Sequence, residues 1–264
     1  MNVENCVGLM LGCPKLREYH CRNPFLPPSY TAGEYSGPQQ VEVFPFMERM
    51  SWDFGLADWD MVLMGSVQLP SLKEMAWRQH PHIRGDVFTK SLKGPSYLSL
   101  RSQFMSQLQT LAVFECSLQL WSIRELCAAL PNTLRELHLI GEHMQAEVVD
   151  CFHKLTFRGD DPESSFFPWL QVLSMPHIQN CPEPGVLLNS LLGMLCSRRN
   201  EPQTANWKPS VPIRQLRFSV AASQTAGWDP AQFQRFEQFV QMGLRFELVN
   251  GRASSVTSLS RDPG

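Results

Sequence analysis

No Cys-x-x-Cys pair occurs in this chain. Its eight cysteines stand at positions 6, 13, 21, 116, 127, 151, 181 and 196. That scatter lacks the ligand spacing of a zinc site. Cys21, Cys127 and Cys196 fall in apolar slots, as buried thiols in a reducing compartment do. Asn-x-Ser/Thr sequons are absent, and so is a basic leader followed by an apolar run. Both absences point to an intracellular protein, cytoplasmic or nuclear. No uninterrupted apolar stretch approaches the roughly 18 residues of a membrane span. An excess of one charge is missing too: 23 basic and 25 acidic residues leave a net charge of -2. Nothing electrostatic therefore favours nucleic acid or an anionic membrane as partner. A phosphate loop, a dinucleotide fingerprint and a nucleophile elbow are all lacking, so the expectation is a non-enzyme with no cofactor and no metal.

What the chain does have is one apolar spacing used repeatedly: a leading apolar residue, a second three places on, a third two places after that. It reads Leu72/Met75/Trp77, Leu108/Leu111/Val113, Leu134/Leu137/Leu139, Leu170/Leu173/Met175 and Ile213/Leu216/Phe218. Leu16/Tyr19/Cys21 is a sixth case. The last two positions alternate with polar residues, so they face inward from a strand, and the first leads the chain into the core at a turn. This is the strand signature of a leucine-rich repeat. The expected fold is α/β, an irregular leucine-rich-repeat solenoid with parallel strands on its concave side and helices and loops on its convex side. One domain is expected over residues 1–249, with a loop-rich insertion at 22–65 and a flexible tail at 250–264.

The intervals between leading positions are 56, 36, 26, 36 and 43 residues, against about 20–29 in regular repeats. The longest predicts a degenerate repeat around Val41–Phe46. Trp52, Phe54, Leu56 and Trp59 have no clean period, and packing under a long loop is expected for them. Helical stripes fill other connections. Ser122 and Glu125 form a capping box before Ile123, Leu126, Cys127 and Leu130. Met144, Val148, Phe152 and Leu155 make a second stripe, and Leu187, Leu188, Leu191, Leu192 and Leu195 a third. Residues 200–212 read as a loop. Asp229-Pro230 then starts a helix with Phe233, Phe236 and Val240 on one face, and Gly243 suits a left-handed cap. Leu244, Phe246 and Leu248 alternate as a last strand.

Three segments carry a resemblance to the leucine-rich-repeat portion of fungal F-box proteins. They are Phe167-Pro168-Trp169-Leu170-Gln171-Val172-Leu173-Ser174-Met175, Leu192-Gly193-Met194-Leu195-Cys196-Ser197-Arg198-Arg199, and Met242-Gly243-Leu244-Arg245-Phe246-Glu247-Leu248. With the other strands the likeness covers roughly residues 65–250. The resemblance implies the substrate-recognition part of a ubiquitin-ligase receptor. The F-box segment itself is not seen, so the ligase adaptor subunit is expected as a partner only if an F-box lies upstream of Met1.

Other candidate chemistry is weak. His80 and His82 lack a third metal ligand, and a polar loop accounts for them. His138, Glu142 and His143 lack the spacing of a zincin pair. Asp160 and Asp161, with Asp150 or Glu163, suit a turn beside Gly159 and Pro162 better than a cation. Cys116 occupies the slot where these repeats place a structural Asn or Cys. Arg198, Arg199, Arg214 and Arg217 concentrate positive charge, suited to an acidic peptide or phosphate; solvated helix ends and strand residues are the plainer expectation. The partner-binding candidates are the outward strand residues Glu74, Arg78, Thr110, Phe114, Glu136, His138, Gln215 and Arg217, where aromatic and Arg anchors suit a protein partner. The alternatives are a stand-alone repeat scaffold and an enzyme with its site in the N-terminal third.

Overall fold

The structure, a computed structural model, describes residues 8–22, 42–54, 67–79, 106–114, 130–140, 147–156, 166–175, 184–199, 211–218, 228–249 and 256–258. The chain is α/β with mostly parallel strands. It divides into two compact units, Met1–Ser117 with Ala129–Leu134, and Leu118–Ala128 with Arg135–Gly264.

The first unit holds β1 (Glu18–Cys21), β2 (Glu42–Val43), β3 (Arg49–Phe54), β4 (Val67–Gln68), β5 (Glu74–Gln79) and β6 (Thr110–Phe114). Strands β1, β3, β5 and β6 are neighbours in that order, all parallel. Strands β2 and β4 form a separate short parallel pair. The second unit holds β7 (Glu136–Ile140), α1 (Glu147–Leu155), β8 (Val172–Met175), α2 (Pro184–Ser197), β9 (Gln215–Phe218), α3 (Pro230–Gln241), β10 (Arg245–Val249) and β11 (Val256–Ser258). Strands β7 to β10 are parallel in chain order, and β11 adds an antiparallel edge to β10.

Each apolar spacing becomes a strand because its second and third residues point the same way on a pleated backbone. The register then stacks like on like. In the first unit Tyr19, Met50, Met75 and Leu111 align, and Cys21, Trp52, Trp77 and Val113 beside them. In the second unit Leu137, Leu173, Leu216 and Phe246 align. Trp52, Trp77, Leu111, Val113, Leu137, Leu173 and Leu216 are all buried.

The turn before each strand is also repeated. Phe44-Pro45-Phe46-Met47, Leu69-Pro70-Ser71-Leu72 and Phe167-Pro168-Trp169-Leu170 each close with a hydrogen bond from the fourth N–H to the first carbonyl, at 3.3, 3.1 and 3.0 Å. Cys13-Pro14-Lys15-Leu16 does the same at 3.0 Å. Proline sits second in each, where its fixed φ suits a β-turn. Phe44, Leu69 and Phe167 are buried, so the turn is pinned at its start as well as at its leading residue.

One carbonyl then carries each step from strand to strand. It belongs to the residue just after the leading apolar one. Arg17 O accepts from Glu48 N at 2.8 Å and Arg49 N at 3.2 Å; Glu48 O accepts from Lys73 N at 2.9 Å and Glu74 N at 3.1 Å; Lys73 O accepts from Gln109 N at 2.8 Å and Thr110 N at 2.9 Å. The second unit repeats it: Arg135 O takes Gln171 N and Val172 N at 2.7 and 3.0 Å, and Gln171 O takes Arg214 N and Gln215 N at 2.8 and 3.1 Å. A slip of one residue would break this pair and turn the buried side chains outward.

The 56-residue interval is corrected by β3. Its leading residue is Met47, followed by Met50 and Trp52, all buried. The repeat therefore lies just after Val41–Phe46 and divides the interval into 31 and 25 residues. Trp52 and Phe54 belong to this strand and not to packing under a loop, so the 22–65 segment is not irregular throughout. Leu56 and Trp59 lie outside the described residues, as do residues 122–128 of the capping-box helix and 200–210 of the polar loop.

Helix α1 buries Phe152 and Leu155. Helix α2 buries Leu187, Leu188, Leu191, Leu192, Met194 and Leu195 and packs against both α1 and α3, which is why it is apolar nearly all round. Helix α3 starts as its sequence predicts: the Asp229 carboxylate accepts from Ala231 N at 3.0 Å, with Pro230 at the first helical position. Its apolar stripe is covered unevenly. Phe236 and Phe239 are buried while Phe233 is 36% exposed. Phe236 meets Phe246 of β10 edge-on at 4.8 Å. Gly243 ends the helix at φ +96, where Leu244 N reaches Phe239 O at 3.0 Å and Gly243 N reaches Val240 O at 2.9 Å, a Schellman cap that only glycine adopts without strain. In the segment expected as a tail, Val256–Ser258 pair with β10.

Leu173→Ala and Leu137→Ala should each cost roughly 2–5 kcal/mol, and Phe233→Ala under about 1 kcal/mol. Urea unfolding midpoints measure both, and equal midpoints for the three variants would contradict the burial assignment.

Candidate functional site

Alternation leaves every other strand residue facing outward, and the parallel register lines these up. In the first unit Glu18, Arg49, Glu74 and Thr110 share one row. Arg49 lies 3.6 Å from Glu18 and 4.0 Å from Glu74. His20 donates to Glu18 at 2.7 Å. That hydrogen bond first, and the Arg49 charge second, hold the Glu18 carboxyl below its usual pKa. A second row joins Asp53, Arg78 and Phe114. The Arg78 guanidinium stands 5.0 Å above the Phe114 ring, and its Nε is 3.9 Å from Asp53. Between the rows run His20, Ser51, Ala76 and Ala112, and the short side chains of the last three leave that part of the face low.

So Glu74, Arg78, Thr110 and Phe114 come together on one face, as the alternation predicts. Arg49 and Asp53 belong with them and were hidden because β3 leads with Met47 instead of leucine. Read as Met47-x-x-Met50-x-Trp52, the sequence contains the signal.

In the second unit Glu136 shares a row with Val172, Gln215 and Arg245. His138 shares the next with Ser174, Arg217 and Glu247. His138 Nε2 lies 3.4 Å from Glu136 Oε2. The outward row is less open here: Ser174 is 3% exposed.

Gln215 and Arg245 also line a groove of about 570 Å³ at the starting ends of β8, β9 and β10. Arg199, Arg214, Val172, Pro212 and Met242 complete most of its wall. The Arg199 guanidinium lies over the Phe239 ring at 5.0 Å. This gathers two of the four arginines that the sequence singled out, and adds Arg245.

Arg198 is a correction. It is not a solvated helix-end residue but 2% exposed. Its Nε donates to Leu155 O at 2.9 Å, Nη1 to Phe167 O at 3.1 Å and Nη2 to Phe166 O at 3.1 Å. The guanidinium thus ties the end of α2 to the end of α1 and to the turn before β8. Phe167 sits at φ +50, unusual for a residue with a Cβ, and Arg198 grips its carbonyl. Burial lowers the Arg198 pKa to about 10, still far above neutrality, so the side chain stays charged. Five guanidinium N–H groups suit three convergent carbonyls, and lysine has no such fork.

A polar pair missed by the sequence joins the helices. Ser190 Oγ of α2 and His153 Nε2 of α1 share a hydrogen bond at 3.0 Å beside Thr156, Asn189 and Gly193. Nothing in their spacing, 37 residues apart, announces it. Among the described residues no acidic group completes a triad, and the pair fastens α1 to α2 as Gln232 fastens α3 to Asn189 at 2.6 Å. His80, His82, Cys116, Glu142, His143, Asp160, Asp161 and Glu163 lie outside the described residues; Asp150 lies in α1, its side chain undescribed. Among the described residues no group of three His, Cys, Asp or Glu is placed to hold a metal ion, and no helix is long and apolar enough to cross a membrane.

Comparison of the chain with protein-family models, with curated proteins and with solved structures finds no match in any of the three.

Replacing Arg198 by Met removes the donor to the Leu155 and Phe166 carbonyls and one of the two donors to Phe167 O, and should cost about 3 kcal/mol. Arg198→Lys should recover only part of this. Thermal unfolding of both variants measures it; a Met variant as stable as the parent would dismiss the clamp.

Proposed function

We propose that the chain is a protein-interaction module of leucine-rich-repeat type, an irregular solenoid that binds a protein partner through outward strand residues. The observation that carries this reading is the in-register face of the first unit. There Arg78 and Phe114 are already stacked, flanked by the Glu18–Arg49–Glu74 row. An Arg and an aromatic held in place before binding lose little side-chain entropy on contact and are the residue types that dominate protein interfaces. The low centre over Ala76 and Ala112 admits a partner's backbone or a protruding side chain. Strand residues suit recognition because a rigid sheet fixes their positions. In the second unit Glu136, His138, Gln215 and Arg217 extend the same logic.

The reading reaches further to the substrate-recognition part of an F-box ubiquitin-ligase receptor. That step rests on the likeness of the repeat segments alone. A stand-alone repeat scaffold would use the same face without the ligase. Co-purification of the ligase adaptor subunit separates the two: its recovery supports the receptor, and its absence beside a recovered partner supports the scaffold.

Cross-linking in cells, read by mass spectrometry, would identify a partner whose affinity is then measured directly. The double variant Arg78→Ala/Phe114→Ala should weaken that affinity about 30-fold or more, roughly 2 kcal/mol, with the melting temperature kept. Unchanged affinity for a well-folded double variant would refute the face as the binding surface.

A further inference from the structure

We infer that the groove at the starting ends of β8, β9 and β10 is a second binding site, for an extended acidic peptide with apolar residues between its carboxylates. The inference rests on the reading of the chain as a protein-binding module and names a class of ligand for it. Arg199, Arg214 and Arg245 line one cavity of about 570 Å³. Among the described residues none of the three forms an ion pair. No acidic side chain lines the cavity. Three arginines lining a partly enclosed site without an acidic residue raise the local potential and favour an anionic ligand.

The three arginines come from three separate chain segments. Arg214 and Arg245 lie on adjacent chain segments, since Arg245 N donates to Arg214 O at 2.8 Å. Their backbones are thus about one strand spacing, ~4.8 Å, apart. Arg199 approaches from the end of α2, where stacking on Phe239 limits its rotamers. Arginines from three chain segments that share a wall with Val172, Pro212 and Met242 suit a peptide carrying both carboxylates and apolar side chains. Met242 is 58% exposed. An exposed methionine offers a flexible apolar contact that adapts to a partner side chain. Arginine pairs with carboxylates through two parallel hydrogen bonds, which gives direction as well as charge.

The test uses the full chain and short degenerate peptide libraries on beads. One library alternates Asp or Glu with apolar positions, a second has Gln in place of the acids, and a third carries a single phosphoserine. The acidic library should retain about tenfold more protein than its Gln counterpart, and the difference should shrink as salt rises. Arg214→Gln and Arg245→Gln should each lower retention about tenfold, while Arg235→Gln on α3, away from the groove, should leave it intact. Arg214 and Arg245 are exposed, so the variants should fold, and circular dichroism confirms it. Equal retention on the acidic and Gln libraries overturns the site, as does full retention by folded Arg214→Gln. A preference for phosphoserine overturns the carboxylate ligand. Failure here with the Arg78/Phe114 result intact removes the groove and leaves the module. The reverse pattern removes the module and leaves a peptide-binding groove.

Discussion

Within each unit a single backbone carbonyl, placed one residue after the leading apolar side chain, governs how neighbouring parallel strands meet. By accepting two N–H groups at once it fixes both the distance and the register of the following strand. Arg17, Glu48, Lys73, Arg135 and Gln171 each accept two N–H groups in this position, Arg214 accepts one from Arg245, and their side chains have little in common. Their identity is free because the backbone does the pairing. What is not free is the leading residue. Met47, Leu72, Leu134, Leu170 and Ile213 are buried, and Leu16, which leads the edge strand β1, is half-buried.

From this constraint the outward face follows. Fixing the register of the buried rows also fixes the exposed rows, because successive side chains alternate across a strand. Glu18, Arg49 and Glu74 stand abreast for the same reason that Tyr19, Met50 and Met75 do. Opposite charges in neighbouring rungs then add modest support, as expected of solvent-exposed pairs. Arg78 over Phe114 is the same effect with an aromatic partner.

The connections obey a different logic. Helix α2 is held by leucines on nearly every side, and its end is fixed by the Arg198 fork. A buried guanidinium is tolerable because three carbonyls meet it and its charge persists even with its pKa lowered to about 10. Those carbonyls come from the end of one helix and from a turn, both places where backbone acceptors lack intrahelical or ladder partners. One side chain therefore completes hydrogen bonding for two elements distant in sequence.

Period-two alternation and the leading leucines were enough to read strands β5 to β9 and half of the outward face from sequence, because each needs only residues within one segment. The cap at Asp229 and the turn at Gly243 were legible for the same reason: both are local backbone chemistry. Strand β3 escaped because methionine and tryptophan fill positions where leucine was sought, although burial treats them alike. Phe233 shares a helical stripe with Phe236 yet stays 36% exposed, since helical period alone cannot say how much of a stripe its neighbours cover. Arg198, the Ser190–His153 pair and the arginine groove were decided only by tertiary structure. Each depends on groups tens of residues apart meeting at a particular distance and burial, and no local pattern encodes where a charged side chain finds its acceptors.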